Sequence, residues 1–155
     1  MPKEIERKYL VNKGKWAKAR KPKGQLYRQG YILTEPKKTI RVRLTEKKGF
    51  LTIKGLSVGA TRPEYEYEIP LQHAQELLDN FTVSELSKIR YKINFHGKIW
   101  EVDEFLGVNA GLMVAEIELA SEDETFDLPD WVAEEVTGDD KYYNSSLTIE
   151  PFQKW

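Results

Sequence analysis

The run Glu4-Ile5-Glu6-Arg7-Lys8-Tyr9-Leu10-Val11 carries residue types that hold metals and phosphates. In an extended strand successive side chains point to opposite faces. Glu4, Glu6 and Lys8 therefore share one ridge, spaced about 6.7 Å apart, while Ile5 and Tyr9 occupy the other. Two carboxylates and an ammonium on one ridge make half of a site that presents a metal ion to a phosphate. Asp103, Glu116 and Glu118 enlarge the acidic pool. Oxygen donors without His or Cys suit a hard cation, Mg²⁺ or Mn²⁺. Because Mg²⁺ usually takes only one or two protein carboxylates, this pool has room for two ions.

The basic counterpart is Arg41, Arg43, Lys54, Lys88 and Arg90. Arg offers paired donors that match phosphate geometry, and Lys adds a point charge. Together they exceed what one phosphate needs, and a linear triphosphate is the natural size of ligand. Cysteine is absent, so no thiol nucleophile exists. His73 and His96 stand in unrelated contexts and read as surface residues. Direct attack by a metal-activated water is then the simplest chemistry, with the cations stabilising charge on the leaving phosphate.

These residues need strands to position them, and the dominant hydrophobic period along the chain is two. Eight strands are predicted: Glu4–Val11, Leu26–Leu33, Thr39–Thr45, Phe50–Leu56, Arg62–Ile69, Val83–Asn94, Ile99–Phe105 and Leu112–Ala120. Short connections such as Lys47-Lys48-Gly49 and Asn94-Phe95-His96-Gly97 favour antiparallel neighbours. Helices are few: Gly14–Ala19, and Leu71–Asn80 with Leu71, Ala74, Leu77 and Leu78 at helical spacing. Residues 121–140 form an acidic segment anchored by Trp131 and Val132. The 155 residues fit a single domain spanning 1–155.

The charged faces of these strands are each of one sign. Arg41 and Arg43 alternate with Ile40, Val42 and Leu44; Lys88, Arg90 and Lys92 alternate with Ile89, Tyr91 and Ile93. Glu64, Glu66 and Glu68 alternate with Tyr65, Tyr67 and Ile69. Solvated antiparallel faces mix polar types and pair opposite charges across strands. Single-sign strands are rationalised by an α+β, β-dominated fold, an eight-stranded antiparallel closed barrel whose charged lumen has an acidic and a basic wall. The apolar faces then point outward, where the helices and the Trp131 region must cover them.

With 24 Lys+Arg against 25 Asp+Glu, net charge is near zero, which argues against a nucleic-acid partner. No apolar run reaches membrane-spanning length and no secretory signal opens the chain, so the expected location is cytoplasmic.

The motifs resemble those of the CYTH, or triphosphate tunnel metalloenzyme, superfamily across essentially the whole chain. Glu4-Ile5-Glu6-Arg7-Lys8 is similar to its N-terminal Glu-x-Glu-x-Lys hallmark. Arg41-Val42-Arg43, Lys54, Arg62-Pro63-Glu64-Tyr65-Glu66, Lys88-Ile89-Arg90, Asp103 and Glu116-Ile117-Glu118 follow in family order. Val136–Tyr142 resembles the segment that returns a basic residue to the tunnel. The resemblance implies a divalent metal and a triphosphate substrate. Glu116, Glu118 and Asp103 would bind metal, and Glu4 and Glu6 would hold a second ion or its water. Lys8, Arg41, Arg43, Lys54, Lys88, Arg90 and Lys141 would bind phosphates, with Glu64 and Glu66 orienting them. Compact length is most like the small bacterial tripolyphosphatases, which yield pyrophosphate and phosphate. A class IV adenylyl cyclase, a thiamine triphosphatase and a non-catalytic polyphosphate or nucleotide binder are the alternatives. For a nucleotide base, Tyr27, Tyr31 and Trp16 are the available rings near a mouth.

Overall fold

The computed structural model describes residues 1–155. In chain order its elements are β1 (Lys3–Val11), α1 (Lys13–Lys18), β2 (Gln25–Glu35), β3 (Lys38–Leu44), β4 (Gly49–Gly55), β5 (Thr61–Ile69), α2 (Leu71–Phe81), β6 (Ser84–Phe95), β7 (Lys98–Phe105), β8 (Met113–Glu118), β9 (Val132–Glu135) and α3 (Asn144–Ile149). All eight predicted strands form. The expected Leu112–Ala120 strand is shorter at both ends, and β9 and α3 are additions. No helix is long and apolar enough to cross a membrane.

The strands run antiparallel in the order β5-β4-β3-β2-β6-β7-β8-β1. The sheet closes where β1 meets β5 through Lys3↔Pro63, Glu4↔Arg62 and Ile5↔Thr61. Closure removes both edges, which an open polar sheet would leave unpaired. Beyond Ile5 the β5 strand leaves, and the freed edge of β1 takes β9 through Tyr9↔Glu135 and Val11↔Val132. Four residues containing Glu134 and Glu135 carry too little alternation to announce a strand. Local chemistry sets the joints. At the β6–β7 turn His96 (φ 50°) and Gly97 (φ 82°) adopt the left-handed conformation that a tight hairpin requires. Asn12 caps α1, its side chain accepting from Lys15 N at 3.0 Å.

Alternation turns the apolar residues of most strands outward, as expected, and two outer cores cover them. One joins Ile5, Tyr9, Trp100, Val102, Ala115 and Ile117 to Trp16 of α1 and to Trp131. The other seats Ala74 and Leu78 of α2 on Val42 of β3. Here α2 lies so close to β4 that a Cβ on Gly49 would sit 2.6 Å from that of Ala74. A third core lies inside one end of the barrel. Leu86, Phe105 and Val114, on the same faces as Lys88, Asp103 and Glu116, meet Val136, Tyr142 and Leu147 from the C-terminal segment. That segment plugs the end, leaving the charged lumen above it.

Candidate active site

The order of strands around the barrel sorts the inward charges by sign. β5, β1, β8 and β7 are adjacent and carry Glu64 and Glu66, Glu4 and Glu6, Glu116 and Glu118, and Glu101 and Asp103. β4, β3, β2 and β6 complete the circle and carry Lys54, Arg41 and Arg43, then Lys88, Arg90 and Lys92. The walls enclose a cavity of ≈ 270 Å³, and only five of its 27 lining residues are hydrophobic, which excludes an apolar ligand.

Opposite charges pair at the two seams. At β4–β5, Lys54 Nζ lies 2.7 Å from Glu4 Oε1 and 3.3 Å from Glu64 Oε2. Arg41 Nη2 reaches Glu66 Oε2 at 3.4 Å and Thr52 Oγ1 at 3.3 Å, and its buried Nε has no partner. At β6–β7, Asp103 accepts from Lys88 Nζ (2.7 Å), Arg90 Nε (2.7 Å) and Arg90 Nη2 (2.8 Å). Away from the seams, Arg43 has no carboxylate partner and donates from Nε to Gln29 Oε1 at 3.1 Å. Burial and the neighbouring Arg41 and Arg90 push its guanidinium down to about 10. Burial also lowers Lys88, to about 7, with Arg90 and Arg43 outweighing Asp103.

The acidic wall crowds like charges. Glu6 stands directly across from Glu118, and Glu116 from Glu101. Burial, Glu116 and Glu4 push the Glu6 carboxyl up to about 8. Burial and Glu4 raise Glu64 to about 7, and Glu118 also rises through burial and Glu4. Burial would raise Glu116 too, yet Lys8, Arg90 and Lys88 overcome it and hold the carboxyl well below the usual range. Oxygens of Glu4, Glu64 and Glu118 lie within 4.8 Å of one another. An oxygen-only donor set with excess negative charge fits a hard divalent cation. Lys8 stands within this wall, on β1: its Nζ is 3.5 Å from Glu116 Oε1, donates to Tyr142 O at 3.3 Å, and faces the Tyr143 ring.

Most of the expected residues therefore converge: Glu4, Glu6, Lys8, Arg41, Arg43, Lys54, Glu64, Glu66, Lys88, Arg90, Glu116 and Glu118 all line the cavity. Two do not. Asp103 is fully buried beneath Lys88 and Arg90, behind the lining. Lys141 lies outside the cavity lining, its ammonium over the Trp155 ring at 4.6 Å; the segment expected to return a lysine instead brings Thr137 and Gly138, and Tyr143, Asn144 and Ser145 follow just beyond it. The three rings considered for a base are all buried. Tyr27 (6% exposed) lies under Arg43 and Arg90, and Tyr31 is 2% exposed. Trp16 (6%) belongs to the outer core. Arg62, the first residue of the Arg-x-Glu-x-Glu run, also lines the cavity; Gln29 was missed, because it shares its strand face with Tyr27, Tyr31 and Leu33 and reads as part of an apolar ridge. Tyr143 and Asn144 gave no signal, because they open a short helix with no period to read.

A closed antiparallel barrel with segregated acidic and basic walls defines a class of pocket for a metal ion and a polyanion held together. The match to the CYTH domain model spans residues 2–149, and the chain belongs to that family. It is 49% identical, over 100% of its length and 99% of the relative's, to an inorganic triphosphatase of Acetivibrio thermocellus. An inorganic triphosphatase of Nitrosomonas europaea is 37% identical over 94% of this chain and 97% of its own. The fold superposes on a crystal structure of an inorganic triphosphatase with TM-score 0.62 and 31% identity, covering 94% of this chain and 97% of that one.

Proposed function

We propose that this protein hydrolyses inorganic tripolyphosphate to pyrophosphate and phosphate, dependent on Mg²⁺ or Mn²⁺, in the cytoplasm. The observation that carries this reading is the acidic wall facing the basic wall across one small polar cavity. The two relatives named as inorganic triphosphatases support it. The three rings considered for a base, Tyr27, Tyr31 and Trp16, are each 6% exposed or less, which supports an inorganic substrate over a nucleotide.

Glu4, Glu64 and Glu118, whose oxygens converge, would hold the divalent cation, with Glu6 and Glu116 lining the same wall. When bound, such an ion lowers the pKa of a coordinated water and neutralises phosphate charge. Arg41, Arg43, Lys54, Lys88 and Arg90 bind the triphosphate and stabilise charge on the departing pyrophosphate. Lys8 is the cation within the acidic wall and contacts the terminal phosphate. Glu6, whose side chain accepts no hydrogen bond within the protein, orients the attacking water. Water adds to the terminal phosphorus as the bond to the bridging oxygen breaks, and a proton is released. Asp103, held on both oxygens by Lys88 and Arg90, aims those cations.

Phosphate release from tripolyphosphate, ATP and thiamine triphosphate, each with Mg²⁺ and with Mn²⁺, tests the reading. Tripolyphosphate should turn over fastest, and Glu116→Gln should lower that rate by at least roughly a hundredfold. Cyclic AMP formed from ATP would select the cyclase instead. Binding of tripolyphosphate without turnover under either metal would leave a binder.

A further inference from the structure

Asn144, the first residue of α3, joins the C-terminal plug to the basic wall. Its Oδ1 accepts from Lys88 Nζ at 2.8 Å and from Gln29 Nε2 at 2.9 Å. Gln29 in turn accepts from Arg43 Nε at 3.1 Å. A guanidinium can only donate, so Gln29 turns its oxygen to Arg43 and its Nε2 to Asn144, and the oxygen of the Asn144 amide, not its nitrogen, must face Gln29 and Lys88. Gln29 is 0% and Lys88 1% exposed, so neither can replace this acceptor with bulk water. Lys88 is thereby held between Asp103 on one side and Asn144 on the other. The far end of α3 is locked independently. Leu147 is fully buried in the plug, its carbonyl accepts from Asn109 Nδ2 at 3.3 Å, and Ser84 Oγ donates to Thr148 Oγ1 at 2.8 Å.

We propose that Asn144 is a positioning residue that aims Lys88 at the triphosphate, so that seating the plug and assembling the phosphate site are one event. The proposal rests on the triphosphatase reading above. A side chain serving only to anchor the plug would affect stability and leave substrate affinity alone. A positioning role instead moves KM, and it moves nothing further once Lys88 is gone.

Tripolyphosphate hydrolysis at saturating Mg²⁺, equilibrium binding of metal-free tripolyphosphate by calorimetry, and thermal melting are compared for the wild type, Asn144→Ala, Lys88→Met and the double variant. Asn144→Ala should lose roughly ten- to a hundredfold in kcat/KM, most of it in KM. The double variant should match Lys88→Met within roughly twofold. Costs that multiply, or an unchanged KM in Asn144→Ala, would overturn the proposal. Asn144→Ser keeps a polar side chain at the plug but is too short to reach Lys88. It therefore decides the matter if the alanine variant does not fold: about a tenfold loss of tripolyphosphate affinity is expected, and wild-type affinity sinks the idea. A wild type that binds but does not hydrolyse tripolyphosphate fails the functional reading alone. The binding data on these variants still judge Asn144.

Discussion

Lys88 concentrates the residue-scale chemistry. Its ammonium is buried, pushed down to about 7, and flanked by Arg90 and Arg43. A triphosphate arriving beside it restores the charged form, so binding must take up a proton wherever free Lys88 is neutral. The sign follows: uptake is small below about pH 6, where Lys88 is already charged, and grows through neutrality to a plateau above about pH 8. Calorimetry of metal-free protein in two buffers of different ionisation enthalpy measures it, and Lys88→Met should abolish the increment. Strand parity made Lys88 legible as an inward cation. It did not reveal that Asp103 sits underneath it rather than in the cavity, because alternation gives a face and not a depth.

At the scale of elements, the C-terminal segment behaves as a stopper. The inward faces of β6, β7 and β8 turn apolar towards one end, and Leu147 of α3 fills the centre at 0% exposure. Leu147→Ala should destabilise the fold by about 2–5 kcal/mol, since the surrounding barrel cannot collapse onto the space. Urea unfolding followed by tryptophan fluorescence would show a lower midpoint with an unchanged slope. A loss below about 0.5 kcal/mol, the level of a surface site, would mean that α3 is not packed into the barrel. The eight long strands were readable because each repeats its alternation several times. β9 and α3 were not, being four and six residues long and specified by the edge and the hole they fill.

For the molecule as a whole, the lumen holds seven acids and eight cations, close to balance but separated in space. Neither a lone polyanion nor a lone cation matches both walls, whereas the two together do. The crowding of Glu6, Glu64 and Glu118 around Glu4 and Glu116 is a cost carried by the folded state alone, because unfolding moves these charges apart. Mg²⁺ and tripolyphosphate should each raise the melting temperature. At about a hundred times its dissociation constant a ligand adds about 2.7 kcal/mol, or roughly 5–10 °C for a chain of this size. Melting scans with either ligand and with chelator check this. A melting point that does not respond to Mg²⁺ would remove the cation site from the acidic wall.

The sequence alone determined the faces: alternation of period two decides which side chain shares a ridge with which, and the signs of those ridges required a charged interior. Glu4, Glu6 and Lys8, Arg41 and Arg43, Lys88 and Arg90, and Glu116 and Glu118 were all placed in this way. Only the tertiary structure decided which ridges are neighbours, how deep each charge lies and what closes the barrel end. Strand order brings Lys54 to Glu4, while the path of the C-terminal plug leaves Lys141 outside and sets Asn144 against Lys88 across 56 positions of chain. These are long-range contacts, fixed by closure of the sheet and by the packing of the plug, and no local pattern of residues encodes them.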